Sequence, residues 1–417
     1  MERLKAGVAE VDITPTAGGL LWGDLGPETS TGVDTPLLAK TLVLDNGEAS
    51  VAIVTLDLFS LRSADARALA EQVAARAGLA PEAVVVLTSH TRGAPVTAAV
   101  PGATEIDTAT VAAVLANAPD AVAAALSRMQ DASLGLGHAI LPHLIYNHRL
   151  MTRNMKAISA WLGVPRDEVL APEGPTDPQF SVFVVRDDRG RPLALLWSLA
   201  AENRFSTGGR ISAGLPGMVQ QLVDARIGRH VPCLYLGGCG SNISYAYPLE
   251  EAADAVASAV MAVQLETPAD PMIRLGSAAE RVILPVRDAS RAWNRSEVEL
   301  KAPQAATAFA REAELLDAEG AQAVPATVQA IRLGRYAIAC LPGAPFVEFA
   351  LRVKEGSPFR ETVVVGTNDD AGFVIPRSAF DHGGLESWPS RAARVGPGGG
   401  EYAADVAAEL LQALWRA

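Results

Sequence analysis

Val84-Val85-Val86-Leu87-Thr88-Ser89-His90-Thr91-Arg92-Gly93-Ala94-Pro95 runs from apolar residues straight into polar ones. An apolar, β-branched run that stops in Ser-His-Thr-Arg-Gly reads as a buried strand delivering side chains to the edge of a sheet. Strand ends of this kind are where α/β proteins bind ligands. Two further runs stop in the same way. Residues 193–199 lead into Ala200-Ala201-Glu202-Asn203-Arg204, and residues 233–236 lead into Gly237-Gly238-Cys239-Gly240-Ser241-Asn242. Three strand ends predict one pocket.

Working outward, residues 63–77 have helical spacing with Ser63 as N-cap, so helix and strand alternate around the opening stretch. Residues 37–44 and 50–56 flank Asp45-Asn46-Gly47, which predicts a hairpin with a tight two-residue turn. The device recurs at 179–185 and 193–200 around Asp187 to Gly190, and at 331–333 and 336–340 around Gly334. Helices are expected at 108–129, 216–227, 249–265, 304–319, 346–354 and 402–415, and residues 133–140 read as an edge strand. The pattern predicts an α/β fold, a mixed β-sheet core flanked by helices, in one domain spanning 1–417. Only 266–272 offers a weak sub-boundary.

The chain of 417 residues is 49% hydrophobic, enough apolar surface for a large core. Its formal charge of -12 and the lack of a dense Lys/Arg block exclude a nucleic-acid binder. The N-terminus carries no signal-like apolar region and no window reads as a membrane span, so a cytoplasmic protein is expected. Cys233, Cys239 and Cys340 are odd in number and lack ligand-like spacing, which argues against a disulfide framework or thiolate zinc. A small molecule is the expected partner.

Several stretches resemble the neutral/alkaline ceramidase family: residues 6–15 (Ala-Gly-Val-Ala-Glu-Val-Asp-Ile-Thr-Pro), 88–95, Tyr146-Asn147-His148-Arg149, 174–178 (Gly-Pro-Thr-Asp-Pro), 211–217 (Ile-Ser-Ala-Gly-Leu-Pro-Gly) and 341–346 (Leu-Pro-Gly-Ala-Pro-Phe). Their order and spacing match that family's catalytic domain. The resemblance implies an α/β fold in which a zinc ion activates water to hydrolyse an amide bond, without the smaller immunoglobulin-like domain of long members.

It also shows departures. Where the family has His-Thr-His, this chain has His90 and Arg92, and the position of the second histidine ligand is Glu202. The glutamate ligand matches Ala344 and the tyrosine ligand Phe373, while Ser-Ala-Asp-Tyr-Pro-Gly has become residues 212–217. Zinc needs three or four converging N, O or S donors. No metal ligand is therefore assigned and no cofactor is expected; zinc enters only if the site is rebuilt around His90 and Glu202, recruiting His148, Asp369 or Asp370.

His90, Arg92, Glu202 and Arg204 are the candidate acid-base and cationic groups, with Ser241 as a further catalytic candidate. Arg153, Asn154, Asn203, Asn242, Asn368, Asp369, Asp370, Phe373 and His382 are expected to bind substrate. The bland alternative has His90 and Glu202 bonding loop backbone and Arg92 pairing with Glu202 as a buried ion pair. Cys239 is weighed as a nucleophile against a small buried core residue. Three function classes follow: a ceramidase-like amide or ester hydrolase with an altered or lost zinc site, a metal-independent lyase, isomerase or glycoside-cleaving enzyme on an anionic or sugar-like substrate, and a non-catalytic binding protein.

Overall fold

The computed structural model describes residues 2–23, 27–99, 102–103, 105–288, 303–320, 323–367, 369–388 and 390–417. Its largest sheet is built from β1 (Lys5–Asp12), β2 (Leu38–Asp45), β3 (Ser50–Leu56), β4 (Val84–Thr88), β5 (Gln130–Ile140), β6 (Gln179–Asp187), β7 (Pro192–Ser198) and β8 (Cys233–Tyr235). They lie in the order β8-β7-β6-β5-β1-β2-β3-β4. A second sheet has the order β9-β10-β11-β12, from Leu275–Leu284, Val324–Leu333, Tyr336–Leu341 and Glu361–Gly366. All pairs are antiparallel except β3/β4, β7/β8 and β11/β12.

Those three exceptions share one construction, a hairpin followed by a helix and a strand parallel to the second arm. The helices are α1 (Ser63–Ala77), α3 (Gly214–Ile227) and α6 (Val347–Gly356). A parallel pair needs a crossover connection, and each crossover leaves two strand ends pointing the same way. The predicted mixed sheet core flanked by helices is therefore present.

The first hairpin differs from expectation in its turn. Asp45 pairs with Ser50, leaving a four-residue loop in which the Asn46 side-chain oxygen accepts from the Glu48 and Ala49 N–H groups. A side chain that satisfies two loop donors stabilises this wider turn. The strand expected at an edge, β5, is instead interior, between β6 and β1. Its glycines also admit a further segment against it. A Cβ on Gly135 would lie 2.0 Å from the Pro268 carbonyl oxygen, and one on Gly137 2.1 Å from Thr267 Oγ1. The connection after α4 (Leu249–Glu266) lies directly on this strand.

Helix α2 (Thr108–Ser127) is long and apolar enough, by length and composition, to cross a membrane. It contributes Val111, Val114, Ala118 and Val122 to the buried cluster under the first sheet, the usual place of an apolar core helix. The sheets also pack on one another, with Leu42, Phe183 and Leu196 of the first in the same buried cluster as Ile338 and Val363 of the second.

Candidate active site

His90 leaves β4 with φ 56°; with Met155 it is one of two non-glycine residues in the left-handed region among the described residues. Holding a side chain there costs on the order of 1–3 kcal/mol. Neighbouring loops fix the turn. Ser89 N donates to Leu56 O (2.9 Å), Asn203 Nδ2 to Ser89 O (3.1 Å) and Thr91 Oγ1 to Ser212 O (2.7 Å). The imidazole packs on Phe59 at 4.0 Å between ring centroids, and Phe59 stacks on Trp22 at 4.8 Å.

Glu202 follows β7 and meets this turn from the other side. Its Oε1 is 3.4 Å from His90 Nε2 and 3.7 Å from Arg92 Nη2, and its Oε2 is 3.6 Å from Arg204 Nη1. Burial raises the carboxyl pKa, but Arg204, the His90 hydrogen bond and Arg92 outweigh burial and hold it well below the usual range. It is a carboxylate at neutral pH. Arg204 lies 4.2 Å over the Trp161 ring, and Arg92 5.9 Å over Trp22, so both cations rest on aromatic faces.

The glycines after β8 close the site. A Cβ on Gly238 would stand 2.6 Å from Leu199 O, and one on Gly240 2.5 Å from the Ala200 carbonyl carbon. Gly238 also bridges to Val365, and Ser241 N donates to Pro345 O, joining the two sheets at this point. What remains is a cavity of about 20 Å³ lined by His90, Glu202, Tyr235, Ser241 and Ala344, with room for about one water. Two buried atoms there, His90 Nδ1 and Glu202 Oε2, have no hydrogen-bond partner.

The structure thus brings together His90, Arg92, Glu202, Arg204 and Ser241, with Asn203 beside them. Ser241 Oγ already donates to Ala344 O (2.7 Å). Asn203 ties Ser89 to Leu215, and Asn242 ties Glu348 to the Val347 N–H. Both asparagines are spent on the fold. Cys239 is fully buried, and burial pushes its thiol far up, so it packs as a core residue.

Other expected substrate contacts are placed elsewhere. Arg153 and Asn154 sit on an exposed turn, bonded to Asp167 O and to Thr152 and Lys156. Asp369 accepts from the Gly343 and Ala371 N–H groups, and Asp370 caps the start of α1 through Ser63. The N-cap position itself is Arg62, one residue before the expected Ser63. Phe373 lies opposite Ala344 on a short parallel ladder. His382 contacts Glu173 (2.8 Å) in a separate buried network in which Arg149 pairs with Glu173 and Glu386, and Glu386 with His148. Asn368 lies outside the described residues. The reading from sequence missed Phe59, Tyr235 and Trp161. Phe59 follows Leu56-Asp57-Leu58, which reads as core, and Trp161 is remote in sequence.

A zinc ion does not fit the described residues. Of the four positions matched to ligands, Ala344 and Phe373 carry no donor side chain, while His90 and Glu202 face each other with two guanidiniums alongside. Among the described residues no group of three or more His, Cys, Asp or Glu side chains is placed to hold a metal. His148, Asp369 and Asp370, the candidates for a rebuilt site, are committed to the contacts above.

No described protein family matches the sequence, and no curated protein matches it. Solved structures do. A ceramidase complexed with C2 superposes with TM-score 0.78 at 14% identity, covering 100% of this chain and 76% of that one. Neutral ceramidase from Pseudomonas aeruginosa gives 0.74 at 15%, covering 99% and 75%. The chain has the fold of neutral ceramidase, at identities that carry the architecture alone.

Proposed function

We propose that the chain is a hydrolase of an amide or ester bond in a small polar substrate, working by acid-base chemistry without zinc. The observation that carries this reading is the contact of His90 with Glu202 at a cavity that Ala344, with no donor side chain, also lines. Glu202, ionised, accepts a hydrogen bond from His90 Nε2–H and leaves the unprotonated Nδ1 as the base. Nδ1 takes a proton from water as the oxygen attacks the substrate carbonyl, then returns it to the leaving nitrogen or oxygen as that bond breaks. Arg204 bears on the negative charge that develops on the carbonyl oxygen. The cavity has room for about one water, so the acyl group enters only when the side chains around it part.

The test is elemental analysis of protein purified without affinity tag or chelator, with a hydrolysis screen over short N-acyl amides and esters. The expected result is metal far below one ion per chain and activity that falls by about 10²–10⁴-fold in His90→Ala. Stoichiometric zinc that is lost in Glu202→Ala would overturn the reading in favour of a rebuilt metal site. Activity untouched by His90→Ala would remove the base.

A further inference from the structure

At the end of β11 opposite the cavity, the β10–β11 turn, the loop into β9 and the last turn of helix α7 (Gly399–Arg416) surround a concavity of about 590 Å³. That volume is typical of a small-molecule site. Arg274, Arg332 and Arg335 line it, with Tyr336 and Trp415. In a chain of net charge -12, three gathered guanidiniums call for a reason.

None of the three is paired with a carboxylate among the described residues. Arg332 donates Nη1 to Leu414 O (2.7 Å) and Nε to Gly334 O (3.1 Å), and stacks 5.7 Å from the Trp415 ring centroid. Arg335 donates Nε to Tyr336 Oη (3.1 Å) and lies over that ring. Carbonyls and aromatic faces therefore orient these groups and leave Arg332 Nη2 and both terminal nitrogens of Arg335 unspent. Arg274 is close enough that its charge, after burial, lowers the pKa of Arg332. The lining carboxylate, Asp270, accepts from Met272 N (2.8 Å). Three guanidiniums against one carboxylate leave a surplus of two positive charges.

We propose that this concavity binds a phosphate monoester carrying an aromatic or apolar body. The phosphate, at about −1.5 to −2 near neutral pH, matches the surplus charge. Its three terminal oxygens suit the guanidinium forks. Trp415, Tyr336 and the apolar side chains of Met272 and Ile273 receive the organic part. The site is separate from the His90 cavity, about 20 Å away along the six residues of β11, and stands whether or not that cavity is catalytic.

Calorimetric titration at low salt with phenyl phosphate, inorganic phosphate and benzoate tests it. Phenyl phosphate is expected to bind tightest, and Arg274→Gln and Arg335→Gln, both at exposed positions, to weaken it by about tenfold each. The double variant should lose binding while unfolding at the wild-type midpoint. Binding that survives in a folded double variant would overturn the site. Benzoate binding as tightly as phenyl phosphate would overturn the charge match, and equal binding of inorganic phosphate would overturn the aromatic contribution.

Discussion

Glu202 and Asp369 are buried carboxyl groups with opposite signs. Glu202 is depressed by Arg204, His90 and Arg92 against its burial, so its stabilisation is fully present above the unfolded-state value and is lost as pH falls through the lower folded value. Removing it leaves guanidiniums buried without their carboxylate. Glu202→Ala is expected to cost about 3–5 kcal/mol at pH 7, with the gap to wild type narrowing in urea unfolding at pH 3. Asp369 is pushed up to about 6, by burial first and by Asp370 second. Its contribution is present below the unfolded-state value and is lost as pH rises through about 6. Asp369→Asn keeps an acceptor for the Gly343 and Ala371 N–H groups and removes the charge. It should therefore be more stable than wild type at pH 8, by on the order of 1–2 kcal/mol, and show no advantage at pH 4; equal stability at both would refute the assignment. Of these residues, Glu202 was legible as a polar group closing an apolar strand. The local duty of Asp369 was not, because its partners Gly343 and Ser63's neighbour Asp370 are brought together only by the folded loops.

The recurring element is the hairpin, helix and parallel strand. Its turns were readable because Asp, Asn and Gly mark them, and its strand ends because β-branched runs stop in polar residues. What could not be read was sheet order. Strand β5 reads as an edge on its own sequence, and only Gly135 and Gly137 hint at something packed against it. Nor could the sequence show that Arg153 and Asn154 form the turn between two antiparallel strands, Arg149–Thr152 and Ala157–Ser159, of a small separate sheet. The glycine loop after β8 makes a sharper prediction. Gly240→Ala puts a methyl group into the backbone of residues 200–201, immediately before Glu202. Backbone cannot yield as a side-chain tip does, so the variant is expected to lose more than about 2 kcal/mol of stability. Hydrolysis per folded molecule should fall as well. Ala at Gly228, where nothing stands within 4 Å of the new Cβ, loads only the strain of its positive φ and should leave activity per folded molecule unchanged.

At the scale of the molecule, composition announced a large core and the alternating pattern announced the α/β class, but neither told how two sheets share one interior. The shared cluster of Leu42, Phe183 and Leu196 with Ile338 and Val363 does so. The stretch 266–272, singled out as a weak boundary, is stitched to β5, since Leu134 N donates to Asp270 O (3.0 Å) and Asp270 N to Leu134 O (2.9 Å). Breaking the chain into two folding units there would expose the facing side chains of both sheets to water. We propose that 1–417 unfolds as a single cooperative unit. Circular dichroism and tryptophan fluorescence should trace one coincident urea transition, with calorimetric and van't Hoff enthalpies in agreement. Leu196→Ala in the first sheet and Ile338→Ala in the second should each shift that whole transition, by about 2–5 kcal/mol. Two transitions, each moved by only one of the substitutions, would mean that the sheets are separate units and that the site between them is assembled after both have folded.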